Sequence, residues 1–144
     1  MQATIPSQPN NWLLQYRKRI TSQLGEDGIV EKIFEIIPNG DHWCVEFGAF
    51  DGENLSNTYH FINNLGWSSV QIEANTQYYE FLDHRYADNQ KVTCLNCTVD
   101  FEGANTLDQV LGQTPIPEDF DFLSIDIDGN DYHIWESMTV YRPN

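Results

Sequence analysis

The chain has 144 residues, 40% of them hydrophobic, and a formal net charge of −15 from 22 acids against 7 Lys plus Arg. One hydrophobic core fits that length. A surface this acidic repels phosphate backbones and anionic headgroups, which excludes nucleic acid and membrane as partners, and no apolar run approaches the roughly 20 residues of a spanning helix.

In chain order, residues 1–11 are polar with two prolines, are not a signal peptide, and read as a loose lead-in. The spacing of Trp12, Leu13, Tyr16 and Ile20 predicts a helix over 12–20, with Arg17, Lys18 and Arg19 on a solvated face. Residues 22–28 are turn-like. Ile29, Val30, Ile33, Phe34, Ile36 and Ile37 then mark an amphipathic helix, capped by Ser22 or Asp27 and stopped by Pro38-Asn39-Gly40.

The central unit runs over 43–73. An apolar strand opening at Trp43 ends in Glu46-Phe47-Gly48-Ala49-Phe50-Asp51-Gly52. A helix follows over 56–65 with Ser56 as its N-cap and Gly66 behind it. The next strand, over 69–72, stops at Glu73. Strand, glycine-rich turn, helix and strand with an acid at its tip is the layout of a nucleoside-binding βαβ unit, the acid accepting from ribose hydroxyls.

Thr76 caps the next predicted helix, Lys91 opens a strand over 91–99, and Thr106 with Gln109 forms a capping box for a short helix. A fourth strand over 122–127 runs into Asp128-Gly129-Asn130-Asp131, and 132–138 has helical potential. The alternation argues a parallel sheet covered by helices on both faces. The domain reading is a lead-in and helix at 1–21 and one domain over 22–144.

Three cysteines without a secretion signal point to a reducing compartment, the cytoplasm. Cys94 and Cys97, three apart in a strand, face opposite sides of the sheet, and no second pair completes a zinc site. The acids at 126–131 begin like a calcium loop, but Gly129 falls at position 4 and Ser137 stands where a glutamate is required, so no metal is assigned. His60 and His133 are the histidine candidates for a base, with packed or surface roles favoured. Trp12, Trp43, Trp67 and Trp135 read as core or half-buried anchors.

Ser22-Gln23-Leu24-Gly25-Glu26-Asp27-Gly28, the segment from Val45 through Gly52 with Ser56-Asn57-Thr58, Ile72-Glu73, residues 96–99 and Leu123-Ser124-Ile125-Asp126-Ile127-Asp128-Gly129 together resemble the FkbM-like family of class I S-adenosylmethionine-dependent methyltransferases. The resemblance covers the chain from about residue 22 onward. It implies a Rossmann-like three-layer α/β sandwich with strand order 3-2-1-4, and the expected departure from the family pattern is the lack of the usual C-terminal strands. It also implies S-adenosylmethionine as cofactor and O-methylation of a small molecule or sugar.

By that resemblance Glu46, Gly48, Ala49, Asp51, Gly52 and Asn57 approach the methionine portion of the cofactor, Glu73 holds the ribose and Asn96 lies near the adenine. Asp126 borders both cofactor and acceptor, and Asp126 or Asp128 serves as base. A fourth strand left at the sheet edge invites a homodimer. The alternative expectation is a non-catalytic nucleoside-binding or assembly module dimerising through that strand.

Overall fold

The structure, a computed structural model, describes residues 11–38 and 40–143; the lead-in at 1–10 and Asn39 of the expected helix stop lie outside the described residues. Strands β1 (Trp43–Phe47), β2 (Ser68–Ile72), β3 (Val92–Leu95) and β4 (Phe122–Ile125) form one parallel sheet in the order β3-β2-β1-β4. Between and after them run α1 (Glu26–Ile36), α2 (Tyr59–Asn63), α3 (Thr76–Tyr86), α4 (Leu107–Leu111) and α5 (Asp131–Ser137). This is the Rossmann-like three-layer α/β fold expected from the sequence.

Side-chain alternation along the strands builds two cores. Val45, Phe47, Val70 and Ile72 point to one face, where they pack with Leu107, Val110 and Leu111 of α4 and Ile134 of α5. Cys44 points to the other, against Phe61 and Ile62 of α2, Leu82 and Tyr86 of α3, and Val30 and Phe34 of α1. Cys94 joins this second core and Cys97 the first, on opposite sides of the sheet. Burial pushes the Cys44 thiol up to about 12, which leaves it unreactive at neutral pH.

Several local expectations are corrected. Residues 12–20 do not form an α-helix: a 3-10 turn covers Trp12–Tyr16 and the chain then extends. The cause is a tertiary contact, since Gly28 N–H donates to the Lys18 carbonyl and Lys18 N–H to the Gly25 carbonyl. A Cβ on Gly28 would lie 2.2 Å from the Tyr16 carbonyl oxygen, so only glycine lets this segment cross the start of α1. The strand expected over 91–99 ends at Leu95, where the Asn96 amide turns back to donate to the Glu73 and Ala74 carbonyls at 2.8 and 3.2 Å.

The fourth strand stops at Ile125 rather than 127. Asp126 N–H still donates to the Phe47 carbonyl, but Asp128 adopts φ 55° and turns the chain away. Asn75, not Thr76, caps α3, its Oδ1 accepting from the N–H groups of Gln77 and Tyr78. Helix α2 begins three residues after Ser56, although Ser56 Oγ does accept from Thr58 and Tyr59 N–H. The Thr106 side chain makes no cap bond, so the expected capping box is not formed. Trp67 is buried as expected, whereas Trp135 is 58% exposed.

No helix among the described residues is long and apolar enough to cross a membrane.

Candidate functional site

In a parallel sheet every strand presents its carboxyl end on the same side, and a crevice opens beside the strand at which the strand order reverses. Here β1 is that strand, with β2 and β3 on one flank and β4 on the other. A cleft of about 650 Å3 lies there, lined by the segments that leave all four strands. It holds Glu46, Gly48 and Ala49 from the end of β1, Glu73 from β2, Asp100 beyond β3, and Asp126 and Asp128 beyond β4.

Glu73 is 8% exposed, and both its oxygens are tied to backbone: Oε2 accepts from Phe50 N–H and Oε1 from Asn75 N–H, each at 2.8 Å. The Gly48 and Ala49 N–H groups both donate to the Ile72 carbonyl. Three successive donors of the turn are therefore consumed inside the protein. A phosphate-binding loop needs such donors free and aimed at the ligand, so this glycine-bearing turn is not built for pyrophosphate.

Gly48 has φ 84°, and a Cβ there would lie 2.1 Å from the Asp126 carbonyl oxygen. The glycine thus allows the ends of β1 and β4 to close on one another and shapes the cleft floor from behind. Phe50, Leu55 and Asp128 hold positive φ without being glycine, and all three line the cleft. Left-handed backbone at non-glycine residues costs of order 1–3 kcal/mol each and gathers at ligand sites.

Glu46 is 4% exposed and takes part in no ion pair among the described residues. Its Oε2 accepts from the Ser56 and Thr58 hydroxyls at 2.5 and 2.6 Å, and Oε1 accepts from Asn57 N–H at 2.8 Å. Burial pushes its pKa above the usual carboxylate value, and the hydrogen bonds from Ser56, Thr58 and Asn57 offset only part of that. The network continues through Gln71, whose amide donates to Thr58 Oγ1 and Ser69 Oγ. A buried polar strip therefore lies under α2 and surfaces in the cleft at Glu46.

Of the residues singled out in the sequence, Glu46, Gly48, Ala49, Glu73, Asp126 and Asp128 are brought together. Asp51, Gly52, Asn57 and Asn96 do not line the cleft. Asp51 folds onto its own loop: burial raises its pKa, but bonds from Glu53 N–H and from the Asn54 amide and N–H outweigh this and hold it low. The Gly52 carbonyl accepts from the buried Tyr86 hydroxyl of α3 at 2.9 Å. Asn57 bridges the Glu46 carboxylate and the Ser124 hydroxyl.

His60 and His133 lie outside the lining as well. The first is buried beside Asn64, with Nε2 3.5 Å from Glu31 Oε1, a separation that counts as an ion-pair distance without hydrogen-bond geometry. The second stacks obliquely on Phe101. The described residues contain no cluster of three metal-ligating side chains.

Sequence reasoning missed Gln23, Phe50 and Tyr78. The two rings meet edge to face at 4.3 Å on the cleft wall. Gln23 arrives because Thr21 Oγ1 donates to the Ser56 carbonyl, and Asp27, 1% exposed, accepts from the N–H groups of Ile20, Thr21 and Ser22.

Comparison of the chain with protein-family models, with curated proteins and with solved structures gave no match.

Proposed function

We propose that this chain is an S-adenosylmethionine-dependent methyltransferase, or the cofactor-binding part of one, acting on an oxygen of a small molecule or sugar. The observation that carries the reading is the 2.8 Å bond between Phe50 N–H and Glu73, which holds the turn after β1 and the acid after β2 against one cleft. Its volume lies within the roughly 300–1,000 Å3 of small-molecule sites.

The lining chemistry fits the cofactor. Five carboxylates and no Lys, Arg or His face the cleft, which suits a ligand with a sulfonium, an ammonium and a ribose diol and disfavours a dinucleotide. Glu73 keeps lone pairs beyond its two backbone bonds and would accept from the ribose hydroxyls. Bound S-adenosylmethionine would supply an electrophilic methyl group. Asp126 or Asp128, whose side chains are exposed and unpaired among the described residues, would orient the acceptor hydroxyl and take its proton as the methyl passes from sulfur to that oxygen. We place the chain in the cytoplasm, where the free thiols of Cys44, Cys94 and Cys97 stay reduced.

Calorimetric titration with S-adenosylhomocysteine tests the cofactor reading: saturable micromolar binding supports it, and no heat at millimolar ligand removes it. A second reading, a binding module that pairs two copies, draws on β4 at the sheet edge, where Leu123 and Ile125 lie half-buried beside the exposed Trp135. Light scattering that finds only the monomer at micromolar concentration would exclude that pairing.

A further inference from the structure

We propose that the acceptor taken by this cleft is a hydroxylated small molecule that carries an amine, and that phosphorylated or carboxylated acceptors are rejected. The inference rests on the methyl-transfer reading above and names the acceptor class. The five carboxylates divide into two sets. Glu46 and Glu73 are buried, with their oxygens engaged by the chain's own N–H and O–H donors. Asp100, Asp126 and Asp128 are exposed on the segments beyond β3 and β4, and no described residue pairs with their side chains.

No basic side chain of the cleft neutralises that second set. Arg85, carried by α3, is spent on Glu53 and the Asp51 carbonyl. An anionic acceptor would therefore meet three uncompensated negative charges inside a concave wall, where field lines are focused and screening is weaker than on an open surface. An ammonium meets the reverse, and the exposed rings of Phe50 and Tyr78, 36% and 40% accessible, add faces that attract cations. Gln23 and Asn130, both exposed in the lining, supply amide donors and acceptors for neighbouring hydroxyls.

One S-adenosylmethionine has a net charge of about +1 with its carboxylate ionised. It cannot offset all three free acids, so the excess is left to the acceptor.

The test is a set of matched probes, glucosamine, glucose and glucose 6-phosphate, titrated calorimetrically into the full chain saturated with S-adenosylhomocysteine. Glucosamine should bind at least tenfold more tightly than glucose at low salt, and glucose 6-phosphate should not bind. The preference should fall toward parity in 0.5 M salt and in Asp128→Asn, a substitution that suits the φ of 55° because Asn tolerates left-handed backbone. S-adenosylhomocysteine affinity is measured in both proteins. Equal or undetectable binding of glucosamine, or binding of glucose 6-phosphate as tight as that of glucose, overturns the inference while leaving the cofactor reading intact. Failure of S-adenosylhomocysteine itself to bind removes both.

Discussion

Phe50 N–H donates to Glu73 Oε2 at 2.8 Å, so the turn after β1 and the acid after β2 hold one another in place. Phe50 can turn that N–H toward the acid because it sits at φ 53°, in the left-handed region. Glu73 in turn fixes the entry to α3 through Asn75 N–H. One carboxylate thereby sets the position of two backbone segments that line the cleft, a structural role beside the ribose-binding one proposed for it.

Replacing Glu73 by Gln is expected to weaken S-adenosylhomocysteine binding roughly 10- to 100-fold, because hydrogen bonds to a charged acceptor contribute about 1.5–3 kcal/mol. One of the two backbone N–H groups would also face an amide nitrogen. A modest loss of thermal stability should accompany the loss of binding. Glu80→Gln, at an exposed position of α3, serves as the control and should bind as the wild type does. Calorimetry on both variants decides, and unchanged affinity in Glu73→Gln would remove the ribose role.

Gly48 and Gly103 share φ 84° but differ in surroundings, which separates backbone strain from crowding. An added Cβ meets nothing within 4 Å at Gly103 and the Asp126 carbonyl oxygen at 2.1 Å at Gly48. Gly103→Ala should therefore cost only the left-handed penalty of about 1–2 kcal/mol. Gly48→Ala should cost about 2 kcal/mol more, since β1 and β4 must part to relieve the overlap. Denaturant melts of the two variants give the comparison, and equal losses would show that the β1–β4 approach is not tight.

The alternation of strands and helices and the pairing of the Gly48 turn with Glu73 were legible from chain periodicity and from where apolar runs stop, whereas the strand order and the placing of Asp126 came from the family resemblance. The lining contributed by Phe50 and Leu55 was not legible, since nothing in an aromatic or aliphatic side chain announces a positive φ. Asn57 and Asn96 carry the right chemistry at the right places in the chain. Each spends its amide on neighbouring groups, Asn57 on Ser124 and Asn96 on the carbonyls of Glu73 and Ala74. The missing helix at 12–20 has the same kind of cause: its register is right, but pairing of Lys18 with Gly25 and Gly28 wins over local propensity.

Glu46 predicts a pH dependence. Burial raises its pKa in the folded state, so above the usual glutamate value of about 4.3 the unfolded chain releases this proton before the folded chain does. The contribution of Glu46 to stability is full below that value and declines as pH rises through its folded pKa, by at most about 1.4 kcal/mol per pH unit. Glu46→Gln cannot titrate. The stability of the variant relative to wild type should therefore rise with pH across this window and level off above it, in urea melts from pH 4 to 8. A flat difference would mean that the three bonds to Glu46 fully offset its desolvation.

Asp27 gathers the wall that carries Gln23. Its Oδ2 accepts from the N–H groups of Ile20, Thr21 and Ser22 and from Ser22 Oγ, while Oδ1 is buried without a partner. All the binding thus runs through one oxygen, and that asymmetry distinguishes two substitutions. Asn can present its own oxygen to the same donors and lose only the charge, at an expected cost of about 1–2 kcal/mol. Ala leaves the donors of three successive residues unpaired, and about 3 kcal/mol or more should be lost, which is roughly 6–12 °C in melting temperature for a chain of this size. Differential scanning calorimetry on the pair checks the order. Equal melting temperatures for Asp27→Asn and Asp27→Ala would mean that water, rather than this carboxylate, can satisfy residues 20–22, and that the wall beside Gln23 is held by the Thr21 hydroxyl bond to the Ser56 carbonyl alone.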